Sequence, residues 1–265
     1  MQKQSPMISR DALAGNMDTS FLKLLALVFM MIDHMGVVIF PGVSELRVIG
    51  RMALPLYAWC MVVGCVKTRD PWKYGMRMLL LAVVSQPLYM MALSHTWTDF
   101  SILFALLLGI IAIQGIRARF LGSEIWAPAL CYIALGFMNV DYGWRGLTFM
   151  LVLYGARQTR GGLIAAYLAY ALFWGAPSSP VTSLFGQELK FLTWPGLGTV
   201  FSAFFRLQGM IWLSLPLIVL NTRTGFTMPK WLGYALYPMH LVVLIVLRLL
   251  MGGATWATLV SGFLK

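Results

Sequence analysis

Acidic side chains are scarce in this sequence: nine Asp and Glu stand against 20 Lys and Arg in 265 residues, and charged residues together make up only 11%. Soluble domains carry about 25%. With 60% hydrophobic residues, the chain lacks the polar surface to cover a core in water, so its solvent is lipid. Cysteine is sparse too. Cys60, Cys65 and Cys131 are odd in number, lie inside apolar stretches and match no metal spacing. That excludes a disulfide framework and leaves them as small buried hydrophobes. Residues 1–18 are polar, so no cleavable signal peptide is expected and targeting falls to the first apolar helix. There is no Walker-type glycine loop, no serine in a nucleophile motif, and no His, Cys, Asp and Glu group at transition-metal spacing.

What is present is a series of apolar runs. They cover 20–40, 48–66, 76–93, 101–116, 126–137, 146–154, 163–174, 197–220 and 231–251. This predicts an all-α integral membrane bundle of about nine transmembrane helices, forming one domain over 1–265 behind a polar N-terminal segment, 1–18. A Pro/Gly-rich polar stretch, 175–196, separates the seventh and eighth runs, and 255–264 is too short to span and suits the interface. The net charge of +11 would suggest nucleic acid in a soluble chain. Here the cations sit in alternate loops. Lys67, Arg69, Lys73 and Arg77 follow the second run, Arg117 and Arg119 the fourth, Arg157 and Arg160 the sixth, and Arg223 and Lys230 the eighth. The intervening loops hold no cation at 94–99, then Arg145, then Lys190. By the positive-inside rule the N-terminus is cytoplasmic, the C-terminus is outside, and no nucleic acid is expected.

An ionised group at mid-bilayer costs about 2.5–3.5 kcal/mol even on the lenient insertion scale. Asp33, His34, Arg51, Arg206, His240 and Arg248 are the candidates to bear that cost. Asp33 and His34 are adjacent on a helix, about 100° apart, so they face different neighbours. Arg51 opens the second run after a short loop, and an Asp33–Arg51 ion pair offsets the burial of both. Such a pair is either glue between helices or part of a site. His240 follows Pro238, whose missing N–H frees a backbone carbonyl and kinks the helix. His34 lies roughly 22 Å along its helix and His240 roughly 15 Å along its own, a gap of about 7 Å that helix tilt closes. The sequence leaves open whether they share one cavity. His95, with Trp97 and Asp99, reads as an interfacial loop, and Arg248 as a snorkelling cation. Arg206 fits either an interfacial place or the cavity.

The segment Leu22-Lys23-Leu24-Leu25-Ala26-Leu27-Val28-Phe29-Met30-Met31-Ile32-Asp33-His34 resembles the opening signature of the TraX family, a lysine ten residues before an Asp-His pair. Gly50-Arg51-Met52-Ala53-Leu54-Pro55-Leu56-Tyr57 is similar to its Gly-Arg-x-x-x-Pro helix start. Ser85-Gln86, Ile102-Leu103-Phe104, Tyr142-Gly143 and His240-Leu241 follow in order. Ser101 stands where family members often carry Asn, and 175–196 has no clear counterpart. The resemblance implies a bacterial inner-membrane acetyltransferase, related to transmembrane acyltransferases, that acetylates the N-terminal amine of a processed conjugative pilin subunit with acetyl-coenzyme A as donor. His34 and His240 are then candidate bases, Asp33 an orienting group and Arg51 an oxyanion partner. Lys23 is the candidate donor-phosphate contact, and Tyr142 and Arg206 the candidate acceptor contacts. Other readings stay open: another pilin maturation step such as head-to-tail closure, O-acylation of a surface glycan, a proton-coupled carrier, or a pilin chaperone.

Overall fold

A computed structural model describes residues 11–252 and 255–260. The chain is mostly helical, in the order α1 Thr19–Val38, α2 Ser44–Gly50, α3 Ala53–Lys67, α4 Pro71–Leu93, α5 Ile102–Ala118, α6 Ser123–Phe137, α7 Gly143–Ala156, α8 Arg160–Gly175, α9 Leu197–Phe204, α10 Leu215–Val219, α11 Lys230–Leu250 and α12 Trp256–Val260. Four stretches are long and apolar enough to cross a membrane: α1, α2 and α3 taken together, α4, and Trp231–Leu250 of α11. Helices α5, α6, α7 and α8 are shorter and coincide with the fourth to seventh apolar runs.

Helix starts follow local chemistry. Asp18 caps α1 by accepting from the Phe21 amide, and Asp70 caps α4 by accepting from the Lys73 amide, with Pro71 at the first helical position. Helix α4 ends on Ser94 in the left-handed region, φ 60°. Helix α3 is the axis of the bundle: 78% of the α2–α3 span is buried, against 22–39% for the other three long stretches. Leu56, Ala58, Trp59 and Val62 are sealed in the core, while Val28, Leu80, Val84, Leu130 and Ile133 stay exposed on the outside. Such a shell of bare apolar side chains suits lipid, not water. Helix α11 packs against α4 and α1, so the last long helix closes onto the first.

Two features depart from the sequence reading. The bundle carries two small strand pairs. β1 Asp99–Phe100 runs parallel to β2 Asn139–Val140, and β3 Ser183–Leu184 forms a hairpin with β4 Gln187–Glu188 inside the polar 175–196 stretch. The run 197–220 is not one helix. It breaks after α9, passes through residues 205–208, and resumes as a 3₁₀ turn, Gly209–Ser214, followed by α10. The backbone at the break is held by other partners: the Leu207 amide donates to Ser179, and the Phe205 carbonyl accepts from the Val181 amide. Gly209 packs so closely on α8 that a Cβ on Gly175 would come within 2.9 Å of its Cα. Pro216 then supplies no amide for a longer helix. Of the stretch 255–264, residues 261–264 lie outside the described residues, as do residues 1–10 of the N-terminal segment. The rest of that segment is anchored: the Asn16 side chain donates to the Leu217 carbonyl (2.9 Å), and the Trp59 indole donates to the Asn16 carbonyl (2.7 Å).

Candidate functional site

Asp33 points from α1 into the turn between α2 and α3 and is only 8% exposed. It takes two guanidinium groups: Oδ1 accepts from Arg51 (2.6 Å) and Oδ2 from Arg47 (2.8 Å). The expected Asp33–Arg51 pair is therefore present, and Arg47 is a partner the sequence reading missed. Arg47 lies four residues before Arg51, on the same helical face, which is the signal that could have revealed it. Gly50 makes room for the carboxylate, because a Cβ there would overlap the Asp33 side chain. Arg51 is 3% exposed. It also donates to the Arg47 carbonyl (3.3 Å) and to Gln208 Oε1 (3.3 Å), and its guanidinium lies 5.7 Å from the centroid of the Tyr142 ring. Gln208 comes from the break in the run 197–220, so that irregularity delivers a side chain to the site. No periodic signal marks it in the sequence.

His34 and His240 meet. His240 Nε2 and His34 Nδ1 are 3.2 Å apart, and the rings stack with centroids at 5.3 Å. The Tyr237 ring packs edge-on against His240 at 5.0 Å. His240 is 3% exposed and stands behind His34, which lines a cavity while His240 does not. The shared hydrogen bond needs one ring to donate and the other to accept, so it fixes the two tautomers jointly. When His34 Nδ1 is the donor, its Nε2 carries a lone pair that faces no hydrogen-bond donor among the described residues.

The cavity has a volume of about 940 Å³ and runs along α1 between two ends. One end is lined by Lys23 in the first turns of α1, Lys67 at the end of α3, and Arg77 in α4. The other holds Asp33, His34, Arg47, Arg51, Tyr142, Arg145 and Gln208. The rise from Lys23 to His34, eleven residues on one helix, is roughly 16 Å. Tyr142 lines this second end at the start of α7, with its backbone in the left-handed region at φ 62°, a conformation a tyrosine rarely adopts.

The wall opposite α1 adds groups that the sequence reading placed elsewhere. His95 is not simply an interfacial loop residue. It lines the cavity and stacks on Tyr89 at 4.8 Å, with the planes 7° apart. The Tyr89 hydroxyl donates to Asp141 Oδ2. Asp141 is fixed by the strand pair, since its amide donates to the Phe100 carbonyl (3.0 Å). Gln86 clamps the same segment, donating to the Asp99 carbonyl (2.7 Å) and accepting from the Ser101 amide (3.1 Å). Burial pushes the Asp141 carboxyl up from its ordinary value, against the hydrogen bond from Tyr89. Asp99 moves the other way, held down chiefly by hydrogen bonds from the Thr96 amide and hydroxyl.

Two further arginines have structural partners. Arg206 donates to the Gly175 carbonyl (3.0 Å) and does not line the cavity. Arg248 does more than snorkel: it donates to the Ala92 carbonyl (2.9 Å) and Ser94 Oγ (3.1 Å), closing the end of α4.

A search of solved structures finds no match. Among curated proteins, the chain is 28% identical over 165 residues to "Probable fimbrial assembly protein FimC, serogroup H1" of Dichelobacter nodosus, covering 57% of this chain and 67% of that protein. It is 26% identical over 149 residues to "Uncharacterized protein RP591" of Rickettsia prowazekii (strain Madrid E), covering 54% of this chain and 57% of that one. The family model for TraX protein matches residues 18–248. That range takes in all three histidines, the Asp33 cluster, Tyr142 and Asp141, and the chain belongs to the TraX family.

Proposed function

We propose that this protein is an inner-membrane acetyltransferase that moves an acetyl group from acetyl-coenzyme A to the N-terminal amine of a processed pilin subunit. The observation that carries the reading is one cavity joining the cationic Lys23 end to the His34–His240 pair. The TraX family match and the fimbrial-assembly name of the Dichelobacter relative support the acceptor class. In this reading the chain crosses the bilayer about nine times with its N-terminus in the cytoplasm, so the Lys23 end opens to the compartment that holds the donor.

The chemistry follows from the side chains. Lys23, Lys67 and Arg77 bind the phosphates of the donor, and its acylated arm runs the roughly 16 Å to His34. The incoming ammonium must lose a proton before it can attack. His34 Nε2 takes it, while His34 Nδ1 donates to His240 Nε2 and the imidazolium is shared with the ring behind. The amine nitrogen then bonds to the thioester carbonyl carbon. The C–S bond breaks, the coenzyme leaves as its thiolate, His34 returns its proton to the sulfur, and the nitrogen releases its second proton to water as the amide forms. Arg51 uses three of its five N–H groups on Arg47, Gln208 and Asp33. The remaining two face the developing oxyanion. Asp33 holds both arginines in place.

The test is the intact mass of the pilin partner with and without this protein. An acetyl mass shift that depends on the protein and disappears in His34→Ala is expected. For His240→Ala a loss of about 10²-fold in rate is expected, because the base loses its orienting partner. If both variants fold and leave the acetyl shift intact, the mechanism is wrong. A pilin shortened by the mass of one water instead would point to head-to-tail closure.

A further inference from the structure

Two carboxylates line the cavity, Asp33 and Asp141. Asp33 is saturated by two guanidiniums. Asp141 is not. Its Oδ2 accepts from the Tyr89 hydroxyl, and among the described residues its Oδ1 meets no donor and no Lys, Arg or His lies within ion-pair distance. Arg47 and Arg51 are committed to Asp33, and the Arg145 guanidinium lies against the Trp144 ring, 5.1 Å from its centroid. A mostly buried carboxylate with no ion-pair partner within contact distance is costly, and a cation arriving through the cavity would offset that cost.

The surroundings narrow the kind of cation. Among the described residues no group of three or more His, Cys, Asp and Glu could hold a metal ion, and one carboxylate beside one phenol offers too few ligands for calcium or magnesium. What surrounds Asp141 is aromatic: Tyr89 with His95 stacked on it, then Tyr142 and Tyr237, all lining the same space. Ring faces together with one charged acceptor suit an organic ammonium. The backbone there is fixed, because Asp141 is pinned by its strand pair and by Tyr89.

We infer that Asp141, with the Tyr89 hydroxyl and the neighbouring rings, forms a binding site for a primary ammonium, and that it receives the amine of the acceptor. The first half stands on the cavity alone, and the second rests on the acetyl-transfer reading. At this cavity end Arg47, Arg51 and Arg145 would repel an ammonium and favour an oxyanion. Asp141 offsets that field on the opposite wall, so amine and oxyanion are drawn to different sides of the same space.

Binding of phenethylammonium and of 2-phenylethanol to the full chain in lipid nanodiscs tests the first half. The expected result is measurable ammonium binding, at least tenfold weaker alcohol binding, and at least a tenfold loss of the ammonium in Asp141→Asn, which keeps the shape and the Tyr89 hydrogen bond. Equal affinity of the wild type for both ligands, or unchanged ammonium affinity in Asp141→Asn, overturns the site. If Asp141→Asn does not fold, the wild-type contrast decides alone. In the transfer assay the same variant is expected to raise KM for pilin at least tenfold and leave KM for acetyl-coenzyme A unchanged, and the reverse pattern overturns the second half. A wild type that binds the ammonium but transfers no acetyl group sinks the acetyltransferase reading and leaves the amine site standing. Transfer that is indifferent to Asp141→Asn, with unchanged ammonium binding, does the opposite.

Discussion

At the scale of single residues, the Asp33 cluster is asymmetric in a way that mutation can read. Arg51 is buried at 3% exposure and has four partners, whereas the Arg47 side chain is 29% exposed. Arg51→Ala leaves Asp33 with the more exposed Arg47 alone, strands Gln208 and removes the cation beside Tyr142. Breaking a buried pair from one side costs about 3–5 kcal/mol. Arg47→Ala leaves the better-buried partner in place and is expected to cost roughly 1 kcal/mol or less. Unfolding of the two variants in detergent, followed by loss of tertiary signal against denaturant, should separate them clearly. Equal destabilisation would mean that the carboxylate does not distinguish its partners. The same asymmetry applies to function: Arg51 keeps N–H groups free toward the cavity, so its loss should lower turnover in a way that Arg47→Lys does not.

At the scale of elements, the N-terminal cap of α1 also serves as a clasp. Asp18 Oδ2 accepts from the Thr224 amide (2.8 Å) and hydroxyl (2.6 Å), and its Oδ1 from the Phe21 amide (3.3 Å). Burial opposes ionisation here, but the hydrogen bonds from Thr224, Phe21 and Thr222 outweigh it, and the carboxyl lies below its ordinary value. A carboxyl depressed in the folded state contributes stability above its unfolded value and loses it as pH falls through the folded one. Asp18→Ala is therefore expected to lower stability by about 1 kcal/mol near neutral pH, and the gap from wild type should close in acid. A gap independent of pH would show that the clasp does not depend on the charge. Elements were the most legible level in the sequence. The runs 76–93, 126–137 and 163–174 fall within α4, α6 and α8, because in lipid hydrophobic length alone decides a helix. The run 197–220 misled for the same reason. Its composition is apolar throughout, and the break at 205–208 depends on partners in the 175–181 segment, which no window of local sequence contains. Site legibility divides along the same line. Asp33, His34, Arg51 and His240 were visible because an ionisable group in an apolar helix is expensive. Asp141 and His95 lie in loops, where polar residues are expected and attract no notice, and only tertiary folding turns them toward the cavity.

At the scale of the whole molecule, the cavity separates two chemistries along one axis. The Lys23 end carries Lys67 and Arg77, and neither Asp33 nor Asp141 reaches it. The other end mixes two carboxylates with three arginines and His34, which His240 backs from outside the cavity. Such a division suits a polyanionic donor entering at the Lys23 end, where like charge turns a cationic acceptor away, and an acceptor amine drawn to Asp141 at the other. If the division operates, mutations at the two ends will have separable kinetic effects. Lys23→Ala with Lys67→Ala should raise KM for acetyl-coenzyme A by about tenfold or more, the equivalent of about 1.4 kcal/mol in donor binding, with KM for pilin unchanged. The effect should shrink as salt rises, because charges at an open mouth are screened within about 8–10 Å at physiological ionic strength. Asp141→Asn should give the mirror image. A double variant whose pilin KM rises together with its donor KM would show that the two ends are not independent. The acceptor would then have to enter past the same cations as the donor, and a single mouth would serve both substrates.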